Sequence, residues 1–390
     1  MKRVLVLDAL ERSALAVTRS LGLHGVPVIT ADETSTALAG SSRYSRQFFR
    51  YPSPCSRPGA FVSRVIEICK EQHIDLVLPM TELTTLLLLQ HRSSLAGVEL
   101  PFPDSRTVDQ LADKCSLMRL ADTLGIPFPR TYYANDPGNL PVALNDLPYP
   151  LVLKPGRSWL EYNGKWIHTS VRFATDAPGA AAILESDQAF RTGPFMLQET
   201  VPGSGQGVFA LYDNGKPLAF FAHRRVREKP PRGGVSVLSE SIDLDPVLLD
   251  HACKLLDTTG WHGIAMVEFR VSDEGTPWLM EVNTRFWGSL QLSVDAGVDF
   301  PWLLYRMVFG EHVEPAGEYR KGIRLRWLLG DLDNLYLTLR DKAFPVGTKI
   351  RAIWQFLRPA YFRTRHEVNR WRDMGPFWWE LKQYFRDLRR

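Results

Sequence analysis

Two short segments carry most of the chemical information in this 390-residue chain: Met266-Val267-Glu268-Phe269-Arg270 and Leu279-Met280-Glu281-Val282-Asn283-Thr284-Arg285. Asp273-Glu274-Gly275 between them is a turn signal, so the pair reads as a β-hairpin. The two-residue period of a strand puts Glu281, Asn283 and Arg285 on one face, away from Met280 and Val282. Glu268 on the adjacent strand lies opposite that row. Two carboxylates and an amide oxygen form a hard, oxygen-rich site suited to Mg²⁺, which takes one or two protein carboxylates and leaves its other positions to phosphate and water. Arg285 beside them would hold phosphate or a developing negative charge. A solvated sheet face also displays Glu, Asn and Arg. Two upstream lysines weigh against that plainer reading: Lys114 inside a helical stretch and Lys154 at the end of a strand.

A second constellation is the run His223-Arg224-Arg225-Val226-Arg227-Glu228-Lys229-Pro230-Pro231-Arg232-Gly233-Gly234-Val235-Ser236. Arginine grips carboxylate bidentately and the glycines free backbone donors, so the run reads either as a carboxylate receptor or as a solvated basic loop. Thr81-Glu82 follows the strand Leu76–Pro79, and ligands gather at the C-terminal ends of parallel strands, which makes Glu82 a candidate for an incoming ammonium. The scattered histidines (His24, His73, His168, His251, His262) show no metal-ligand spacing, and no GxSxG or Cys/His pairing supports a hydrolase.

These residues need elements to hold them. Val4–Leu7, Val26–Thr30 and Ile74–Pro79 read as strands, with helical spacing over Ser13–Leu23, which implies βαβ units and a parallel sheet. The first turn, Asp8-Ala9-Leu10-Glu11-Arg12-Ser13, lacks the glycines that bring a backbone to a pyrophosphate, so no nucleotide is expected there. Val108–Leu124 reads as one helix, Leu151–Pro155 and Phe195–Glu199 as strands, Ala177–Ser186 and Asp245–Thr259 as helices. Gly207–Tyr212 and Pro217–Ala222 flank an Asn214-Gly215 hairpin turn, and the strands Gly263–Val271 and Thr276–Val282 follow. There is no internal repeat.

The order of these features resembles the ATP-grasp superfamily over roughly residues 1–310, and Asn283-Thr284-Arg285-Phe286-Trp287-Gly288-Ser289-Leu290-Gln291 looks like its carboxylate–amine ligase branch. The resemblance implies an α/β chain, α+β in its catalytic part: a Rossmann-like first domain (1–104), an ATP-grasp domain (105–310) with a lid at about 150–205, and a helical C-terminal extension (311–390). It implies ATP and Mg²⁺, with Mn²⁺ as a substitute. Lys114 and Lys154 match the lysines on the ATP phosphates, Lys154 with a catalytic share. Gln198, Glu199 and Val201 match the adenine hinge, the last two through backbone groups, and Gln206 a ribose or phosphate contact. Glu268, Glu281 and Asn283 match the metal ligands, and Arg285 the catalytic arginine that stabilises the acyl phosphate and tetrahedral intermediate. Similar loops place Arg225, Arg232 and Ser236 over the acyl substrate. One departure is the lid loop Gly156–Trp166, which has only two glycines, leaving Arg157 and Ser158 to reach phosphate.

Composition agrees with a folded protein: 45% hydrophobic and 23% charged residues exclude disordered and low-complexity classes. No apolar run reaches the ~18–20 residues of a membrane span. The N-terminus is too soon charged for a signal peptide, and four dispersed cysteines lack CxxC spacing, so the expected setting is a reducing cytoplasm. Residues 311–390 hold 17 Lys/Arg against 10 Asp/Glu and five of the eleven tryptophans. Such basic, aromatic helices fit an anionic membrane surface at its inner face, a protein partner delivering a carrier-linked substrate, or packing onto the catalytic body. Nucleic acid is not expected, since no binding module accompanies the charge. The expected activity is ATP-dependent ligation of a small-molecule or carrier-linked carboxylate to an amine, through an acyl phosphate, releasing ADP and phosphate. Bicarbonate activation and a non-catalytic ATP-binding sensor or assembly subunit are the alternatives.

Overall fold

In the computed structural model the described residues are 1–231, 233–314, 317–357 and 363–388. The first sheet is parallel, in the order β3-β2-β1-β4, from β1 (Val4–Val6), β2 (Val28–Asp32), β3 (Ser45–Arg50) and β4 (Leu76–Leu78). Every residue of β1, β2 and β4 is buried, as an apolar run between two layers requires. Leu5 and Leu7 join one core cluster and Val4 and Val6 another.

Asp8 closes the C-terminal end of β1. Its carboxylate accepts hydrogen bonds from the Met80 and Thr81 amides (both 2.9 Å) and from the Thr84 and Tyr51 hydroxyls (2.6 and 2.9 Å). A buried carboxylate thus fills the corner where a doubly wound sheet would receive phosphate.

The stretch expected as one helix, Val108–Leu124, is two: Ser105–Ala112 and Lys114–Thr123. The break has a local cause. The Asp113 side chain accepts from the Ser116 amide at 2.8 Å and caps a new helix, while the Lys114 amide donates to Gly156 O at 2.7 Å. A Cβ on Gly156 would stand 3.0 Å from Pro194 O, so the close approach needs glycine.

A small sheet, order β5-β10-β6-β9, contains β5 (Thr131–Ala134), β6 (Leu151–Pro155), β9 (Arg172–Ala174) and β10 (Phe195–Glu199), with the hairpin β7 (Trp159–Tyr162) and β8 (Lys165–His168) beside it. It packs around its own core of Leu151, Leu153, Phe190, Phe195 and Leu197. The hairpin touches the first domain, where the Trp166 amide donates to Cys55 O at 2.9 Å.

The main sheet has seven strands in the order β15-β14-β11-β12-β13-β16-β17. These are β11 (Ser204–Asp213), β12 (Lys216–Lys229), β13 (Val235–Ser241), β14 (Gly263–Val271), β15 (Pro277–Asn283), β16 (Arg324–Arg326) and β17 (Thr364–His366). The expected Asn214-Gly215 turn is present, with φ of 47° and 81° at its two central residues.

The C-terminal eighty residues are more than an appended helical extension. β16 pairs with β13 and β17 with β16, so residues beyond 310 complete the main sheet. The helix Gly375–Asp387 then returns to the first domain at residues 39–41. Arg19 ties that return: it donates to Asp373 Oδ2 and to the carbonyls of Glu367 and Val368, each at 2.8 Å, and to Asp373 O at 3.0 Å. Ser42 Oγ and the Arg43 amide hold the other side of Asp373. Both partners of the Arg19–Asp373 ion pair are buried. Asp373→Ala should therefore cost about 3 kcal/mol, because it leaves a buried guanidinium unpaired. Urea unfolding midpoints would show it, and an unchanged midpoint would mean the C-terminal return contributes nothing to the first domain.

Candidate active site

Glu268 on β14 and Glu281 on β15 are cross-strand partners in register, and Asn283 faces Met266 one step along the same face. β15 keeps Glu281 on this face through an irregularity between Glu268 and Phe269, where Leu279 rather than Met280 pairs with Phe269. Val282 and Leu279 turn into the core on the other side. Asn283 Nδ2 donates to Glu281 Oε1 at 3.4 Å.

Four cations converge on the pair from separate segments. Arg225 Nη2 on β12 lies 2.5 Å from Glu268 Oε2, although no N–H is aligned on that buried oxygen. Lys114 Nζ, at the start of its helix, stands 3.8 Å from Glu281 Oε2 and donates to Ser158 Oγ at 3.4 Å. Lys154 on β6 donates to Gln198 Oε1 at 2.6 Å, and Gln198 in turn donates to Thr131 Oγ1 at 2.9 Å. Arg285 follows β15 and donates to Phe286 O at 2.9 Å.

This geometry splits the titration of the two carboxyls. Burial raises Glu268, more than Arg225 lowers it, and the neighbouring Glu281 charge raises it further. Burial also pushes Glu281 up, but Lys114, Arg225, Lys154 and Arg285 together hold it below the usual range. Desolvation brings Lys154 down to about 8 against the pull of Glu281. A divalent cation fits here: the donors are hard oxygens, and the buried Glu268 Oε2 has the Arg225 guanidinium beside it but no aligned hydrogen bond. Among the described residues no group of three His, Cys, Asp or Glu could hold a metal, so the set is two carboxylates and an amide, with phosphate and water needed to complete it.

Other expected residues are placed differently. Gln206 pairs with Phe269, whose ring is in the core, so strand alternation turns Gln206 to the face opposite Glu268. Arg157 is drawn to Asp109 and Asp113 (3.4 and 3.5 Å), so its charge is already engaged rather than held out for phosphate. Arg225 bonds Glu228 Oε1 at 3.0 Å as well as pairing with Glu268, so it neutralises the acid pair instead of waiting for a substrate carboxylate. The Glu199 amide is committed to Arg130 O at 3.1 Å, while the Val201 amide has no partner among the described residues. Ser236 Oγ is buried and unpartnered. Glu82 lies in the first turn of the helix Glu82–Gln90, with no bond to the site. Arg232 lies outside the described residues.

Sequence reasoning missed the first βα turn as part of the site. Desolvation raises the Glu11 carboxyl although the residue keeps an exposed surface, and the largest opposing charge is Arg285. Arg12 Nη1 reaches Ser236 O at 3.5 Å and its guanidinium sits 4.2 Å from the Trp327 ring. The position of this turn at the C-terminal end of β1 was the available signal, because only its missing glycines were weighed. His223, which the sequence shows only as the start of the basic run, is buried on the acid-pair face, with its imidazole held down at about 3 by desolvation.

A family model described as ATP-grasp in the biosynthetic pathway with Ter operon matches residues 191–330. The L-amino acid ligase of Bacillus licheniformis is similar in structure, with a TM-score of 0.65 at 17% identity over 83% of this chain and 78% of that one. N5-carboxyaminoimidazole synthetase from Staphylococcus aureus gives 0.65 at 12% identity over 85% and 83%. The biotin carboxylase domain of Hydrogenobacter thermophilus 2-oxoglutarate carboxylase, solved with MgADP and bicarbonate, gives 0.62 at 15% identity over 83% and 73%. A comparison with curated proteins by sequence gives no match. The chain has the ATP-grasp fold.

The depressed Lys154 gives a testable consequence. The ammonium is charged below its pKa and loses that charge as pH rises through about 8. Affinity for Mg·ATP should be level below that pH and weaken by up to about tenfold per unit above it. Calorimetric titrations between pH 7 and 9.5 would read this, with Lys154→Met weak and free of the break. A level profile in the wild-type chain would remove Lys154 from the phosphate site.

Proposed function

We propose that the protein is an ATP-dependent carboxylate–amine ligase. The observation that carries this reading is the in-register pair Glu268–Glu281, flanked by Lys114, Lys154 and Arg285. Carboxylate is a poor electrophile, so it needs activation. A carboxylate oxygen attacks the γ-phosphorus of ATP, ADP leaves, and an acyl phosphate results. The amine nitrogen then attacks the carbonyl carbon, the C–O bond to phosphate breaks, and the amine gives up a proton as the amide forms.

Lys114 and Lys154 hold the phosphates from opposite elements, one from a helix start and one from β6. Glu268, Glu281 and Asn283 would hold Mg²⁺, which neutralises phosphate charge when bound. Arg285 is placed to stabilise the negative charge of the acyl phosphate and of the tetrahedral intermediate. Positioning and charge neutralisation account for most of such a reaction. The hairpin β7–β8, resting on Cys55, is suited to keep water from the acyl phosphate. The adenine is expected between the lid and the main sheet, at Gln198–Val201. The similar proteins include an amino acid ligase and carboxylases, and the run Asn283–Gln291 supports the ligase side of that divide.

The test is ADP release from Mg·ATP across a panel of carboxylates and amines, with bicarbonate as a separate arm. The expected result is release that needs one acid and one amine, and a fall on the order of 10²–10³ in Glu281→Gln with the fold retained. Release with bicarbonate alone would establish the carboxylase alternative. Tight ATP binding without turnover in any arm, carrier-linked acids included, would establish the non-catalytic one.

A further inference from the structure

The helix Val346–Leu357 has no buried residue. On a helical wheel Val346, Ile350, Ile353, Trp354 and Leu357 fall within an arc of roughly 100°. That arc is the bare one: Val346 is 73% exposed, Trp354 70% and Leu357 63%. One flank of the arc, the side of Lys349, Ala352 and Phe356, holds the helix to the body, where Arg326 donates to Phe356 O at 3.1 Å and stacks 4.3 Å from the Phe356 ring. The preceding helix, Leu328–Arg340, packs beside it and also shows exposed apolar side chains, Leu332 and Tyr336 among them.

Charge narrows what can cover this ridge. From Lys342 to His366 the chain has six basic residues (Lys342, Lys349, Arg351, Arg358, Arg363, Arg365) and no acidic one. Arg351 flanks the apolar arc on its open side and Lys349 on the side toward the body, so both stems can lie along the arc with the cationic heads at its edges. A second copy of the chain would bring two such basic segments together. No helix among the described residues is long and apolar enough to cross a membrane, so the contact is with a surface.

We propose that the helix Val346–Leu357 lies in the interface of an anionic lipid bilayer, with its apolar stripe among the headgroups and its basic flanks on lipid phosphates. The contact is separate from the candidate active site and stands whether or not the ligase reading does. It would hold the catalytic body at the membrane, where an acyl or amine substrate carried on lipid would be met.

The test is co-sedimentation of the full chain with vesicles of phosphatidylcholine alone and of phosphatidylcholine with phosphatidylglycerol. Pelleting is expected only with the anionic vesicles, weakening as salt is raised. The double variant Ile350→Asp/Trp354→Ser should lower it at least about tenfold with an unchanged melting temperature. If that variant unfolds, Lys349→Glu/Arg351→Glu takes its place. Absence of pelleting with anionic vesicles would overturn the proposal, as would pelleting that neither variant lowers. Self-association without lipid, abolished by the variants, would assign the ridge to a second copy instead. Binding of polyglutamate without vesicle binding would assign it to an acidic protein.

Discussion

Two carboxylates side by side on adjacent strands repel each other, and the buried one, Glu268, has lost most of its hydration. Glu268 and Glu281 can occupy that position only because Arg225, Lys114, Lys154 and Arg285 come from β12, a helix start, β6 and the end of β15 to meet them. Much of the architecture serves this convergence. The hairpin sets the acids in register, the break at Asp113 turns Lys114 inward, and the small sheet brings Lys154 and Gln198 over the site. The same balance explains why Glu268 is drawn toward its neutral form while Glu281 is held ionised. A divalent cation with phosphate would take over part of the work of the four cations, since both satisfy the same oxygens.

The parts outside this site bear on it through packing. Asp8 closes the first sheet with its own carboxylate, which leaves the neighbouring Glu11 and Arg12 to face Arg285 and Ser236. The C-terminal strands complete the main sheet, and the Arg19–Asp373 tie returns the chain to the first domain. The small sheet keeps a core of its own and also packs on a large cluster through Met196, Tyr133, Trp159 and Trp166.

Where local pattern decides, the sequence was legible: the Glu268/Glu281 hairpin, the Asn214-Gly215 turn, the parallel first sheet and the helical character of the C-terminal residues all follow from period and turn chemistry. Register, bulges and tertiary pairing were not. Gln206 reads as a site residue until its pairing with Phe269 puts it on the far face. Arg225 and Arg157 read as free cations until the fold supplies Glu268, Glu228, Asp109 and Asp113 as partners. The helix break at Asp113 depends on the bond from the Lys114 amide to Gly156, forty-two residues away, which no local window contains. Likewise β16 and β17 are three residues each, too short to announce that they extend the main sheet.

The claim on which the account rests is that Glu268, Glu281 and Asn283 form a divalent metal site completed by ATP phosphate. Mn²⁺ is the direct probe, because its enhancement of water proton relaxation reports the ion in the protein-bound state. The expected result is weak Mn²⁺ binding to the chain alone, strong binding when ATP is present, and loss of the ATP-dependent increment in Glu281→Gln. ATP binding that is indifferent to divalent metal, or an increment that survives in Glu281→Gln, would contradict it.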